Sequence, residues 1–434
     1  MPLDSKLREQ KLTKLKEDKK DNPYSYKELN YNNKPCKLPV YEIPTEYLIF
    51  NQYNGRIGTY VKTYEKQNGP IDASTDEGEG IIYDFLLESK KNRNLETQES
   101  IESNGQLEYG IVTKDGIIID GNRRCMILKK IAKDKKQATS YFRAVILDDT
   151  LDNAPKEIRK LETTYQMGVD EKVDYNAIEK YLKCKDLNED FSLEEIAKMM
   201  GEKDGNVIKR YLAILELMDE YLDNLGYSGL YTKLNDEKME GPFVDLIGYL
   251  EKHKSGKNIV GREWIPDETD IDDLKMVYFD YIRGGYRTAH GIRDIGNPAK
   301  GKSFFNYKKI WSNFVENHFK DMGLINEESI EDYRKKFPNL SLKDLIDKRD
   351  RAWVEKTEPI FKRNFGKARY SLDNELESSL PIVLLTKVLD TLDSINTEID
   401  AFYTEEVKEL IQEINSKNWE LKKKLGIKNG RNNN

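Results

Sequence analysis

Two consecutive arginines, Arg123 and Arg124, are the side chains of this sequence best suited to bind an anion. They stand directly after Gly121 and Asn122 in the segment IIIDGNRRCMILKK, which covers residues 117–130. The forked donors of arginine match the oxygens of a phosphate group. If the pair lies in the first turn of a helix, the free backbone N–H groups there add to the attraction. The spacing therefore predicts a phosphate site, with a solvated arginine pair after an ordinary turn as the alternative.

A strand, a tight turn and a helix are needed to position these arginines. Residues 117–119 are three isoleucines, and β-branched apolar residues are typical of a buried strand. Asp120 and Gly121 interrupt the run, and glycine can adopt backbone angles that other residues avoid. Met126, Ile127 and Ile131 then supply the apolar face of a helix. The pattern predicts a strand that ends at the turn and a helix that begins with the arginines.

The residues before this turn resemble a known family. Residues 100–107, SIESNGQL, lead into the apolar segment YGIVT at 109–113, a Lys-Asp-Gly turn and then IIIDGNRR. This order is similar to the N-terminal domain of ParB-type partition proteins and of the broader ParB/sulfiredoxin superfamily, in which a helix, a hairpin and an arginine turn hold phosphates. Gly121, Arg123 and Arg124 match that turn, whereas Asn122 replaces its usual acidic residue.

The resemblance implies a nucleotide site built from three segments. Arg56 matches the arginine of the first family box, although it could instead only anchor its turn by hydrogen bonds. Glu162 matches the acid of a box that contacts Mg²⁺ and a triphosphate, while Thr163 and Gln166 replace the Asn and Arg of that box. The implied ligand is a nucleoside triphosphate, CTP first, with Mg²⁺; the missing arginine argues against hydrolysis more than against binding. The implied site residues are Arg56, Gly121, Asn122, Arg123, Arg124 and Glu162, with Glu162 as the metal ligand.

A second informative stretch, residues 191–217, has the pattern of a helix-turn-helix. Ser192 with Glu195 three residues later has the spacing of a capping box, Gly201 predicts the end of the first helix, and Asp204 stands where a second begins. The stretch also resembles the helix-turn-helix of ParB proteins, and residues 172–179 resemble the segment that precedes it there. DNA contact is expected from Lys203, Asn206, Lys209 and Arg210; a purely structural helix pair is the alternative.

The composition limits the kind of protein this can be. The chain has 434 residues with a net charge of −7, so DNA contact has to come from local basic patches rather than from bulk charge. Its three cysteines and three histidines are scattered, which predicts neither a disulfide framework nor a histidine-rich metal centre. No run is long enough to cross a membrane, and the start of the chain lacks an apolar signal region, so we expect a cytoplasmic protein.

The fold class expected is α+β, with a small ParB/sulfiredoxin-like α/β domain, a helix-turn-helix and a large helical C-terminal region. The expected divisions are a flexible tail at 1–35, the phosphate-binding domain at 36–150, the helix-turn-helix domain at 151–230 and helices at 231–434. Spaced apolar residues in 380–425 favour helix pairing, so a homodimer through the C-terminal helices is expected. A basic cluster of Arg283, Arg287, His290 and Arg293 could touch nucleic acid or, as the preferred interpretation, pack on acidic neighbours.

These features together predict a DNA-binding protein whose nucleotide site switches DNA binding. One alternative is an enzyme of the same superfamily, a nuclease or nucleotide hydrolase of a phage-defence or mobile-element system, with Asp120 and Glu162 as the acids to suspect. The other is a transcriptional regulator with a vestigial nucleotide site. Nucleotide turnover would favour the enzyme, and DNA binding that is indifferent to nucleotide would favour the regulator.

Overall fold

The computed structural model of this chain describes residues 2–169, 176–255, 259, 262, 264–286 and 291–427. Within them, six strands form one mixed sheet in the order β1-β2-β6-β4-β5-β3. The strands are β1 (Ser25–Tyr31), β2 (Lys34–Pro44), β3 (Ile49–Phe50), β4 (Gly110–Val112), β5 (Ile117–Asp120) and β6 (Tyr141–Ile146).

Helices make up most of the rest of the described chain. They are α1 (Ser5–Asp18), α2 (Gly58–Asn68), α3 (Asp76–Ser89), α4 (Lys91–Asn104), α5 (Asn122–Asp134), α6 (Pro155–Thr163), α7 (Ala177–Leu187), α8 (Leu193–Met200), α9 (Gly205–Asn224), α10 (Tyr231–Asp236), α11 (Glu240–Lys254), α12 (Glu268–Arg283), α13 (Ile292–Gly296), α14 (Lys308–Met322), α15 (Ile330–Lys336), α16 (Leu342–Asp393) and α17 (Glu405–Lys424). A short π-helical turn, Thr164–Val169, continues α6. The expected α+β class with a helical C-terminal region is confirmed at this level.

The sheet is covered on both faces because the isoleucines of β5 alternate between them. Ile118 belongs to a core with residues of α1, α2, α3 and α5, whereas Ile119 belongs to a second core that includes Ile158 and Leu161 of α6. Alternation of side chains along a strand produces this division. Strand β6 pairs with β2 antiparallel and with β4 parallel.

Strands β3 and β5 run parallel, with Ile49 opposite Ile117 and Phe50 opposite Ile118. The carboxyl ends of parallel neighbours lie at the same edge of a sheet. Hence the segment after β3, which contains Arg56, and the turn after β5, which contains Arg123 and Arg124, leave the sheet side by side.

The expectation of a flexible tail at 1–35 is wrong. Helix α1 places Leu12 in the first core, and β1 pairs with β2 along its whole length. Arg8 is only 2% exposed and donates from Nε to the carbonyl oxygen of Asp115 at 2.7 Å. A buried arginine satisfied by backbone carbonyls is not recognisable from a charged sequence segment, which explains the error.

The chain divides into two compact units, residues 1–366 and 367–434. In the second unit, the end of α16 and α17 carry large apolar side chains that are 40–70% exposed, among them Ile382, Leu385, Leu389, Ile411 and Ile414. None of the described helices combines the length and apolar character required to span a membrane. The domain boundaries expected at 150 and 230 stay predictions.

Candidate phosphate site and helix-turn-helix

The turn between β5 and α5 has the geometry that its sequence predicts. Gly121 has φ of 100° and ψ of 18°, and α5 begins at Asn122. A Cβ at Gly121 would stand 2.6 Å from the ring of Phe142, so both the backbone angles and the space require glycine here. Asn122, Arg123 and Arg124 therefore occupy the first turn of α5, where backbone N–H groups lack helical partners.

Asn122 holds this turn to the neighbouring segment. Its Oδ1 accepts a hydrogen bond from the backbone N–H of Asn51 at 2.9 Å, and its Nδ2 donates to the carbonyl oxygen of Ile118 at 2.9 Å. At 2% exposure, its amide is committed to these contacts. An amide can both accept and donate, which the acidic residue usual in the family could not do when ionised.

The three arginines differ in their exposure. Arg124 pairs through Nη2 with Oδ2 of Asp120 at 2.7 Å, and its side chain is 20% exposed. Arg123 is only 8% exposed and packs into the protein, while Arg56 is half-buried in a 3₁₀ turn, Gly55–Ile57, that Asn54 caps. Arg124 is therefore partly open to solvent, whereas Arg123 is mostly buried and close enough to Glu179 of α7 for its charge to act on that carboxyl.

A buried carboxyl, Glu179, lies among these cations. It is 3% exposed, and its Oε2 accepts a hydrogen bond from the backbone N–H of Asn176 at 3.3 Å. Burial raises the pKa of Glu179 to about 8, although that hydrogen bond and the charges of Lys90, Arg123 and Arg56 oppose the shift. At neutral pH the Glu179 carboxyl is mostly protonated and therefore uncharged. It does not neutralise the cations around it, so their positive charge can attract an anion. Sequence reasoning missed Lys90 and the role of Glu179, for which only its place in the 172–179 stretch was a signal; residues 172–175 lie outside the described residues.

Glu162, the residue expected to bind Mg²⁺, already has partners on both carboxylate oxygens. Its Oε1 accepts from Nδ2 of Asn51 at 3.1 Å, and its Oε2 pairs with Nζ of Lys183 at 2.9 Å. Burial raises the pKa of Glu162, and the Lys183 ammonium opposes the shift. Among the described residues, no group of three or more His, Cys, Asp or Glu side chains could hold a metal ion. The donor set at Glu162 therefore does not fit a bound Mg²⁺.

Gln166, which the sequence resemblance aligns with an arginine of ParB proteins, makes a structural contact. Its Nε2 donates to the carbonyl oxygen of Ile119 at 2.9 Å, and it is 4% exposed. This bond ties the π-helical turn after α6 to the strand that leads into the arginine turn. Gln166 therefore fixes the end of β5 and adds no positive charge to the candidate site.

Helices α8 and α9 have the predicted helix-turn-helix form. Ser192 and Glu195 make a reciprocal capping box, Gly201 ends α8 in the left-handed conformation, and Asp204 caps α9. Lys203, Asn206, Lys209 and Arg210 are all exposed. The buried residues of α9 pack against α7, α8 and α11. The helical pair is therefore as predicted, while its contact with DNA stays a prediction.

The two described arginines of the basic cluster, Arg283 and Arg293, pack on acidic neighbours, as the preferred interpretation predicted. Arg283 is 6% exposed and pairs with Glu327 and Asp350, and Arg293 pairs with Asp245 at 2.8 Å. Burial of Arg283 between two carboxylates removes it from any nucleic-acid surface. Residues 287 and 290 lie outside the described residues.

Comparison of the chain with protein-family models, with curated proteins and with solved structures finds no match.

Proposed function

We propose that this chain is a DNA-binding protein in which a nucleoside triphosphate, bound at the arginine turn, switches the helix-turn-helix. The proposal combines the ParB-like sequence pattern with the geometry of the turn. CTP is the first candidate because the resembling family uses it. If Mg²⁺ accompanies the nucleotide, Glu162 is not one of its ligands.

The observation that carries the proposal is the convergence of positive charge at one edge of the sheet. Parallel pairing of β3 with β5 brings the turn of Arg56 beside the first turn of α5. The charges of Arg56, Arg123 and Lys90 act together on the Glu179 carboxyl. A helix N-terminus flanked by several arginine and lysine side chains favours a multiply charged anion such as a triphosphate.

A series of buried polar contacts supports coupling between this site and the proposed DNA-binding helices. Asn122 contacts Asn51, Asn51 contacts Glu162, and Glu162 contacts Lys183 of α7. Helix α7 packs against α9, the second helix of the helix-turn-helix. A ligand that shifts Asn122 therefore acts on groups in direct contact with the DNA-binding part, and it changes DNA affinity only by its differential affinity for the two arrangements.

The enzyme alternative receives no specific support from the site. Asp120, one of the two acids suspected from the sequence, pairs with Arg124, and Glu162 pairs with Lys183. Both carboxylates are therefore committed to cations within the protein. Neither is placed as a free general base.

The proposed quaternary state is a homodimer through the end of α16. Ile382, Leu385, Leu389 and Leu392 repeat at the three- and four-residue spacing of a helix-pairing seam, and the first three are 48–69% exposed. Helix α17 has a similar row, but Lys408, Lys417, Lys422 and Lys424 flank it. In a parallel self-pairing of α17 the lysines of its last turn would lie near their copies, so the α16 row is the proposed dimer seam.

Thermal unfolding with CTP, ATP and GTP in turn tests the nucleotide site. We expect CTP to raise the unfolding temperature most, and a ligand at about a hundred times its Kd stabilises the fold by about 2.7 kcal/mol. Arg56→Gln with Arg124→Gln should abolish the shift, because both side chains are partly exposed and can meet a phosphate. Arg93→Gln, an exposed arginine on α4, is the matched control. A shift of wild-type size in the double variant would place the nucleotide elsewhere.

A further inference from the structure

The pair formed by Glu162 and Lys183 is the best-buried charged contact at the candidate site. The two side chains are 3% and 7% exposed, and Nζ lies 2.9 Å from Oε2. Two opposite charges removed from water need close contact and further hydrogen bonds to compensate for their lost hydration. The Nδ2 of Asn51, 3.1 Å from Oε1, supplies such a bond to the other carboxylate oxygen.

This arrangement places a cation where the family resemblance puts a metal ion. Mg²⁺ requires six oxygen ligands at about 2.0–2.1 Å and keeps several of them as water. An ammonium group at hydrogen-bond distance from the carboxylate excludes an ion of that kind from the same oxygen. Because the lysine is covalently part of the chain, its charge cannot dissociate from the site as a bound metal ion can.

The lysine has a second property that a free ion lacks, since it belongs to α7. Glu162 lies in the last turn of α6, and Lys183 lies in the middle of α7. Their contact therefore links α6, next to the arginine turn, to the helix against which α9 packs. Lys183 in this role is a positioning residue.

We propose that Lys183 replaces a divalent cation as the permanent counter-charge of Glu162, so that the phosphate site of the arginine turn works without a metal ion held by this carboxylate. The phosphate half of this inference rests on the proposed function. The replacement of a metal ion by lysine does not rest on the proposed function, because it concerns only Glu162 and Lys183.

Metal binding without any nucleotide tests the exchange. Titration with Mn²⁺, followed by its electron paramagnetic resonance signal and by thermal unfolding, is compared for wild type, Glu162→Gln, Lys183→Ala and the double variant Lys183→Ala with Glu162→Gln. We expect no binding that depends on Glu162 in wild type. Lys183→Ala should be less stable and should recover part of its unfolding temperature with Mn²⁺ or Mg²⁺, because the carboxylate then faces a cavity that a hydrated ion can enter. The double variant should lose this response.

Lys185→Ala is the matched control, since Lys185 lies on the same helix and makes an exposed pair with Asp219 at 2.7 Å. It should show no metal response. A purely structural lysine would lower stability without creating a metal response, so a folded Lys183→Ala that ignores Mn²⁺ overturns the proposal. Wild-type Mn²⁺ binding that Glu162→Gln abolishes also overturns it, and this arm decides the matter even if Lys183→Ala fails to fold.

The nucleotide arm separates this inference from the proposed function. The CTP-induced shifts of wild type and Glu162→Gln are measured with Mg²⁺ and with EDTA, and we expect EDTA to change the two shifts by the same amount, because Glu162 holds no metal ion. A loss of shift in EDTA that Glu162→Gln removes would overturn the proposal while leaving the nucleotide site in place. No shift under either condition would overturn the proposed function, and the Mn²⁺ titrations would still decide whether lysine has replaced the metal.

Discussion

A single protonated carboxyl sets the charge of the candidate site. Glu179 is buried next to cations, and its burial outweighs their attraction. If it were ionised, it would neutralise part of the positive charge that a phosphate needs. Its pKa is about 8, so the site is most positive below that pH. Asn122 and Gln166 add no charge to this region, because each binds backbone groups through a neutral side-chain amide.

Glu179→Gln tests this interpretation through the pH dependence of stability. The folded carboxyl binds its proton up to a pKa of about 8, whereas its unfolded value is 4.5. Between those values the folded state holds more protons than the unfolded state, so wild type loses stability as pH rises through this window, by up to about 1.4 kcal/mol per pH unit. Glu179→Gln should remove this loss in chemical unfolding measured from pH 5 to about 9. Glu189→Gln, an exposed glutamate just beyond the same helix, is the control, and equal profiles for Glu179→Gln and wild type would contradict the assignment.

At the scale of elements, α9 is both a core helix and the proposed DNA-reading helix. Its buried residues face α7, α8 and α11, which leaves the first turns to meet DNA. Lys209 and Arg210 are both exposed there, but the guanidinium of Arg210 lies toward α11, 3.7 Å from the position that a Cβ of Gly248 would take. Lys203 and Lys209 are therefore the better candidates for phosphate contact.

Lys203→Ala with Lys209→Ala should weaken DNA binding and flatten its dependence on salt. When a phosphate contact is lost, DNA binding releases fewer counterions. The magnitude of the slope of log K against log salt should therefore decrease by roughly 0.9 per contact. Fluorescence anisotropy of labelled duplex DNA over a range of salt concentrations measures this slope. Lys320→Ala, an exposed lysine on α14, should leave it unchanged. A wild-type slope in the double variant would exclude Lys203 and Lys209 as phosphate contacts.

At the scale of the whole molecule, the second compact unit explains why a dimer is proposed. The end of α16 exposes a row of large apolar side chains, and exposed apolar area of this kind marks interaction surfaces. If the protein binds DNA as proposed, a dimer would present two copies of Lys203 and Lys209, and linked contacts raise the apparent affinity.

Leu385→Asp with Leu389→Asp should convert the proposed dimer to a monomer, because two charges from each copy would be buried in the seam. Light scattering after size-exclusion chromatography measures the mass directly. Thr391→Asp introduces the same charge on an exposed position of the same helix outside the row, and it should leave the dimer intact. A wild-type protein that is monomeric at all concentrations would rule out the proposed seam.

The sequence by itself determined the local structures. The strand of residues 117–120, the glycine turn, the start of α5 at Asn122 and the capped helices α8 and α9 all form as predicted. These features depend on backbone preferences and on neighbours within four residues, which are readable in order along the chain.

Only the tertiary structure decided which distant segments meet. Parallel pairing of β3 with β5 brings Arg56 to the arginine turn, and folding of α6 against α7 places Lys183 on Glu162. The same kind of contact holds α1 of the predicted tail, through Arg8 on the carbonyl of Asp115, whereas β1 forms by a hairpin with the neighbouring β2. These contacts join residues that are 21 to 111 positions apart in the sequence, and they form because buried polar groups need hydrogen-bond partners. The spacing of residues within a few turns of the chain carries no information about them.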